Sequence, residues 1–112
     1  MNRDLASIAD IIRAHQRTVE YLAGISKEAF EASGLIQAAV IRQLEIVGEA
    51  TKRLSMEFRA AHPAVPWSDM AGMRDRLIHA YDNLDLNRIW DAAANQLPTI
   101  GAYLQGLLPP DE

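Results

Sequence analysis

Met70-Ala-Gly-Met-Arg-Asp-Arg-Leu-Ile-His-Ala-Tyr-Asp-Asn-Leu-Asp85 joins a helical pattern to a turn signal, and it sets an arginine, a histidine and a tyrosine at positions 74, 79 and 81. A guanidinium grips phosphate through a rigid planar fork. An imidazole can carry a proton near neutral pH, and a phenol both donates and accepts hydrogen bonds. Together they are parts for phosphodiester chemistry that needs no metal. Spacing alone leaves a second reading open, because an Arg and a His five apart also occur in helices with no catalytic role. At about 100° per residue, Arg74 and Tyr81 lie almost on one helix line, whereas His79 sits about 140° round from Arg74. A straight helix cannot aim both side chains at one small target unless it bends or a second chain contributes. That geometry favours a dimer in which two copies of the motif face one cleft.

Working outward, helical patterns fill the chain. Ser68 stands where an N-cap would open the motif helix at Asp69. Before it, His62-Pro-Ala-Val-Pro-Trp67 reads as a loop, since each proline disfavours helix in the residue preceding it. From Leu35 to about Ala60, Ile36, Val40, Leu44, Val47, Leu54 and Phe58 fit one long helix. Gly48 inside it costs about 1 kcal/mol relative to Ala, which predicts that a neighbour packs closely there. Ser33-Gly34 precedes this helix, and Ser26-Lys-Glu-Ala-Phe30 reads as a short capped turn.

Leu5, Ile8, Ile11, Ile12, His15, Val19 and Leu22 form the apolar face of a first helix that Gly24 stops. Leu5, Ile12 and Val19 also recur every seven residues, which fits a coiled-coil-like dimer seam and packing inside a bundle equally well. Beyond the motif, Asp82-Asn83 signals a turn, and Asp85 caps a helix from Leu86 to about Gln96. Pro98 suits the first turn of a final helix ending near Gly106, and Pro109-Pro-Asp-Glu112 reads as a frayed tail. About five helices with short connections predict an all-α bundle, one domain over residues 1–112.

Composition narrows the function. A chain of 112 residues, about half apolar and a quarter charged, is an ordinary globular mixture. Without cysteine it has no disulfide, thiol nucleophile or cysteine zinc site. The three histidines lack any i, i+4 pairing, so neither a metal site nor a cofactor is expected. No signal-peptide core or membrane-spanning run is present, which makes the cytoplasm the default. A net charge of −4 argues against holding nucleic acid by bulk attraction. Arg53, Arg59, Arg74, Arg76 and Arg88 nevertheless fall on and around the motif, between positions 53 and 88, so a local phosphate site is allowed.

The order Arg-x4-His-x-Tyr, preceded by Trp67-Ser-Asp-Met-Ala-Gly-Met and followed by Asp85, resembles the HEPN superfamily and, within it, the HepT-like proteins. The stretch Ala39-Val-Ile-Arg-Gln-Leu-Glu-Ile-Val-Gly-Glu-Ala-Thr-Lys-Arg-Leu-Ser55 looks like that family's long central helix, so the resemblance covers roughly residues 3 to 107. It implies a HEPN-like helical bundle, a homodimer, and the toxin of a toxin–antitoxin pair that cleaves RNA without metal. Its antitoxin partner would be an MntA-type minimal nucleotidyltransferase, which silences the toxin by adding AMP to the motif tyrosine, Tyr81 here.

In such a site Arg74 is the natural clamp for the phosphorane and His79 the natural proton carrier. Asp75, four residues before His79 on the same face, could orient the ring. Glu45, Glu49 and Arg53 line one face, either as solvated salt bridges or, for Glu49 in the Gly-Glu-Ala block, as support for the site. His15 reads as a core or boundary histidine and His62 as a loop residue. Trp67 and Trp90 read as packing anchors; Arg76 and Arg88 serve surface solubility or touch RNA phosphates. The alternative from another class is a catalytically inactive HEPN adaptor that binds a nucleotidyltransferase or a nucleotide.

Overall fold

The computed structural model describes residues 3–79 and 85–108, without the side chains of residues 78 and 79. The expected turn at Asp82-Asn83, Tyr81 and the tail from Pro109 lie outside the described residues. Among those residues every regular element is helical. The order is α1 (Arg3–Leu22), α2 (Lys27–Glu31), α3 (Gly34–Lys52), α4 (Met56–Ala61), α5 (Trp67–His79), α6 (Leu86–Asp91), a π-helical turn (Ala92–Gln96) and α7 (Leu97–Gln105). Helix α3 is the centre, with α1 packed on one side and α5 on another, while α7 covers α1.

Local chemistry explains most boundaries. Gly24 takes a positive φ of 72°, which ends α1 where a side chain would be strained. The Ser26 hydroxyl accepts from Ala29 N at 3.1 Å, the expected cap, and that of Ser33 accepts from Ile36 N at 3.2 Å, capping the helix it precedes. Asp85 likewise caps α6 through Arg88 N at 3.2 Å. The backbone at Asp91 and at Leu97 stays right-handed helical, so α6 and α7 form one continuous rod with a π turn rather than two separate helices. Pro98 lacks an N–H and would crowd a carbonyl in the preceding turn; the π turn just before it absorbs that mismatch.

Three boundaries or faces depart from expectation. The helix expected from Leu35 to about Ala60 is interrupted after Lys52. Ser55 starts α4 instead, accepting from Phe58 N at 3.0 Å. The Asp4 carboxylate from α1 fastens that break, accepting from Ser55 N at 2.8 Å and Ser55 Oγ at 2.7 Å. Arg59 of α4 then donates to Thr51 O at 2.7 Å, satisfying a carbonyl at the end of α3. Second, α5 opens at Trp67 and not at Asp69, because Met70 N donates to Pro66 O at 3.1 Å and the buried Trp67 donates its indole N–H to His62 O. Third, the buried face of α1 is Ser7, Ile8, Ile11, Ile12, Ala14 and Thr18. Val19 is 52% exposed while Ile12 is 6% exposed in the chain's own core, so Leu5, Ile12 and Val19 do not form one outward seam.

The Asp4 clamp carries a prediction. Hydrogen bonds from the Ser55 backbone and hydroxyl hold the Asp4 carboxyl below its ordinary value. A depressed carboxylate contributes stability that is present above its unfolded pKa and is lost as pH falls through the folded one. Asp4→Ala should therefore lower stability by about 1 kcal/mol at neutral pH, and the difference from wild type should shrink in acid. Urea titrations at neutral and acid pH check this; an equal deficit at both would contradict the clamp.

Candidate active site

The site begins with a glycine. A Cβ at Gly48 of α3 would run into Arg74 Cβ, and it would sit 3.2 Å from both Arg74 N and Met70 O. The missing side chain lets α5 lie against α3 with Arg74 directly over Gly48, the close approach its helix cost predicts. One residue on, Glu49 meets the same arginine, with Oε1 3.4 Å from Arg74 Nε. Nε is buried and makes no hydrogen bond, so this contact is charge attraction without hydrogen-bond geometry. Arg74 Nη1 reaches Asp75 Oδ1 at 3.5 Å, a long bond. The guanidinium is thus neutralised by two carboxylates while most of its donors stay unused among the described residues. With its side chain 33% exposed, it is held at the surface rather than sealed in the core.

Lys52, which sequence reasoning missed, completes the cluster. Its Nζ donates to Asp75 Oδ1 at 2.8 Å and Oδ2 at 3.0 Å. That ammonium is the main reason the Asp75 carboxyl lies below its ordinary value, with Arg74 adding to it. The available signal was the three-residue step from Glu49 to Lys52, which puts both on one side of α3. Arg53, expected to share that face, follows the end of α3 and pairs instead with Asp10 of α1 at 2.9 Å. The expected line of Glu45, Glu49 and Arg53 therefore splits, Glu49 serving α5 and Arg53 serving α1.

The structure brings together Arg74, Asp75 and Glu49 of the expected site residues. His79 is the last residue of α5, on the same helix as Arg74. Its side chain and all of Tyr81 lie outside the described residues. The residues set aside as structural hold packing positions. The His15 ring lies against Gly101 of α7, and burial pushes its pKa down, favouring the neutral ring. Trp67 is buried beside Phe58, and Trp90 packs on Phe30 with ring centres 5.4 Å apart. His62 Nδ1 meets the Tyr103 hydroxyl at 2.7 Å, tying the loop before α5 to α7. Arg76 and Arg88 are both exposed. Among the described residues no group of three His, Asp or Glu side chains could hold a metal ion.

Comparison with known proteins identifies the family. The family model described as Ribonuclease HepT-like matches residues 11–107. A protein named as a probable ribonuclease HepT in Thermococcus cleftensis is 40% identical over 100 residues, covering 89% of this chain and 91% of its own length. A protein named as an RNase in Caldanaerobacter subterraneus subsp. tengcongensis is 38% identical over 98 residues, 88% of each chain. Another so named in Methanocaldococcus jannaschii is 34% identical over 99 residues, 88% of this chain and 82% of its own. No solved structure matches the chain. The chain belongs to the HepT-like family. None of its described helices is long and apolar enough to cross a membrane.

Proposed function

We propose that this protein is a metal-independent endoribonuclease, the toxin half of a toxin–antitoxin pair, acting as a homodimer. The observation that carries the reading is the setting of Arg74: fixed over Gly48, one-third exposed, with unused donors, and five residues before His79 on one helix. Relatives named as ribonucleases point the same way. In this reading the RNA 2′-OH attacks the adjacent phosphorus. The 2′-O–P bond forms as the P–O5′ bond breaks. His79 relays the proton from the 2′ oxygen toward the departing 5′ oxygen, and Arg74 stabilises the charge that builds on the phosphorane. The products are a 2′,3′-cyclic phosphate and a 5′-hydroxyl. Purified chain should cleave single-stranded RNA; intact RNA would favour the inactive adaptor, a reading that the acidic net charge of −4 also suits.

Tyr81 is the proposed point of control. A nucleotidyltransferase partner would join the tyrosine oxygen to the α-phosphorus of ATP and release pyrophosphate. The added phosphodiester would bring negative charge to the segment seven residues after Arg74 in sequence, where it would compete with RNA phosphate for the guanidinium. Tyr81→Phe keeps the ring and removes the acceptor oxygen. The variant should retain nuclease activity and escape silencing by partner and ATP. Intact-mass spectra should show whole AMP units on the wild type and none on the variant. Modification and silencing of both proteins alike would place the acceptor elsewhere, with Tyr21 and Tyr103 as the remaining tyrosines.

A further inference from the structure

We propose that Lys52 is a second phosphate-binding cation of the site, and that Asp75 is an internal counter-ion which holds Lys52 and Arg74 side by side until RNA displaces it. This inference rests on the ribonuclease reading and names a residue that reading does not require. Lys52 Nζ and Arg74 Nη1 approach the same atom, Asp75 Oδ1, at 2.8 and 3.5 Å. Two cations sharing one oxygen are close enough to serve one RNA backbone, Arg74 at the scissile phosphate and Lys52 at its neighbour. The side chains of Lys52 and Asp75 are 41% and 51% exposed, and an exposed pair adds little to folding stability. It does hold a long, flexible lysine beside Arg74 instead of leaving it free in bulk water. A polyanion can replace Asp75 without desolvating a buried charge. Glu49, on the opposite flank of Arg74, makes no ion pair with Lys52 among the described residues and remains to hold the guanidinium when Asp75 is displaced. Arg76 does not belong to this pair, because its Nη2 turns back along α5 toward Asp69 O at 3.4 Å.

The proposal separates from a merely structural salt bridge by sign. Lys52→Ala and Asp75→Asn both break the bridge. If it only braces α3 against α5, both variants should change RNA binding in the same direction. If Lys52 binds phosphate, Lys52→Ala weakens binding, while Asp75→Asn frees both cations and strengthens it several-fold. Affinity should be measured on single-stranded RNA carrying 2′-O-methyl groups, which lack the attacking hydroxyl, between 50 and 200 mM salt. Each phosphate contact contributes about 0.7 to the slope of log affinity against log salt for a single strand, so Lys52→Ala should lose about that much. Lys52→Arg should restore it. An unchanged slope in Lys52→Ala, or weaker binding by Asp75→Asn, overturns the role of Lys52. Cleavage of unmodified RNA by the wild type, run alongside, keeps the two readings apart. Cleavage with an unchanged Lys52→Ala slope sinks only this inference, whereas a wild type that neither binds nor cleaves RNA removes the ribonuclease reading and this one with it.

Discussion

Arg74→Ala and His79→Ala are each expected to lower RNA cleavage by about 10²-fold or more while leaving the helices formed. The reasons differ. Removing Arg74 deletes the cation proposed to meet charge developing on the phosphorane, and it leaves Glu49 without that cation while Asp75 keeps its pair with Lys52. Removing His79 deletes the group proposed to move the proton between the attacking and departing oxygens. His15→Ala is the internal control, because that ring lies against Gly101 and takes no part in the proposed chemistry. It should cost stability and far less activity. Equal losses in all three variants at unchanged helicity would mean that the site is misplaced. Mixing the two inactive chains adds a test of the dimer. A site built from Arg74 of one chain and His79 of the other should recover one working copy in the heterodimer, whereas residues acting within one chain should leave it inactive.

Gly48→Ala should be damaging although it adds only a methyl group. In an isolated helix the change would help by about 1 kcal/mol, since glycine is the poorer helix former. Here the new Cβ meets Arg74 Cβ and approaches Arg74 N and Met70 O at 3.2 Å. None of those atoms can rotate away, so α5 must shift bodily off α3. Overpacking of this kind costs about 1–3 kcal/mol, enough to outweigh the propensity gain. The same shift carries Arg74 away from Glu49 and the rest of the site, so activity should fall by about 10-fold even where the protein stays folded, because positioning errors near 1 Å are costly. Denaturant titration and cleavage rates measure the two effects separately. Greater stability than wild type would show that the two helices do not meet at Gly48 as described.

Most features whose cause lies within a few residues were legible in the sequence, Ser68 being the exception because the helix it was expected to cap already opens at Trp67. Gly24, Ser26, Ser33 and Asp85 act on their own turns, and each does what its type predicts. Gly48 announced a close neighbour through its cost, although not which neighbour. Features set by distant chain were not legible. The break after Lys52 depends on Asp4, 51 residues from the Ser55 it fastens. The rotation of α1 that exposes Val19 reflects packing against α3 and α7, which period alone does not reveal. Lys52 was missed because its partner Asp75 is 23 residues away. Of the expected site residues, Glu49 and Asp75 do lie beside Arg74, although Asp75, expected to orient His79, pairs with Lys52 among the described residues. The roles of His79 and Tyr81 rest on family resemblance and chemistry, and so stand as proposals.

The most direct measurement is cleavage of single-stranded RNA by the purified, unmodified chain in excess EDTA, with the product ends identified. The account predicts undiminished cleavage leaving 2′,3′-cyclic phosphates and 5′-hydroxyls. Activity lost on chelation and restored by an added divalent metal would contradict it.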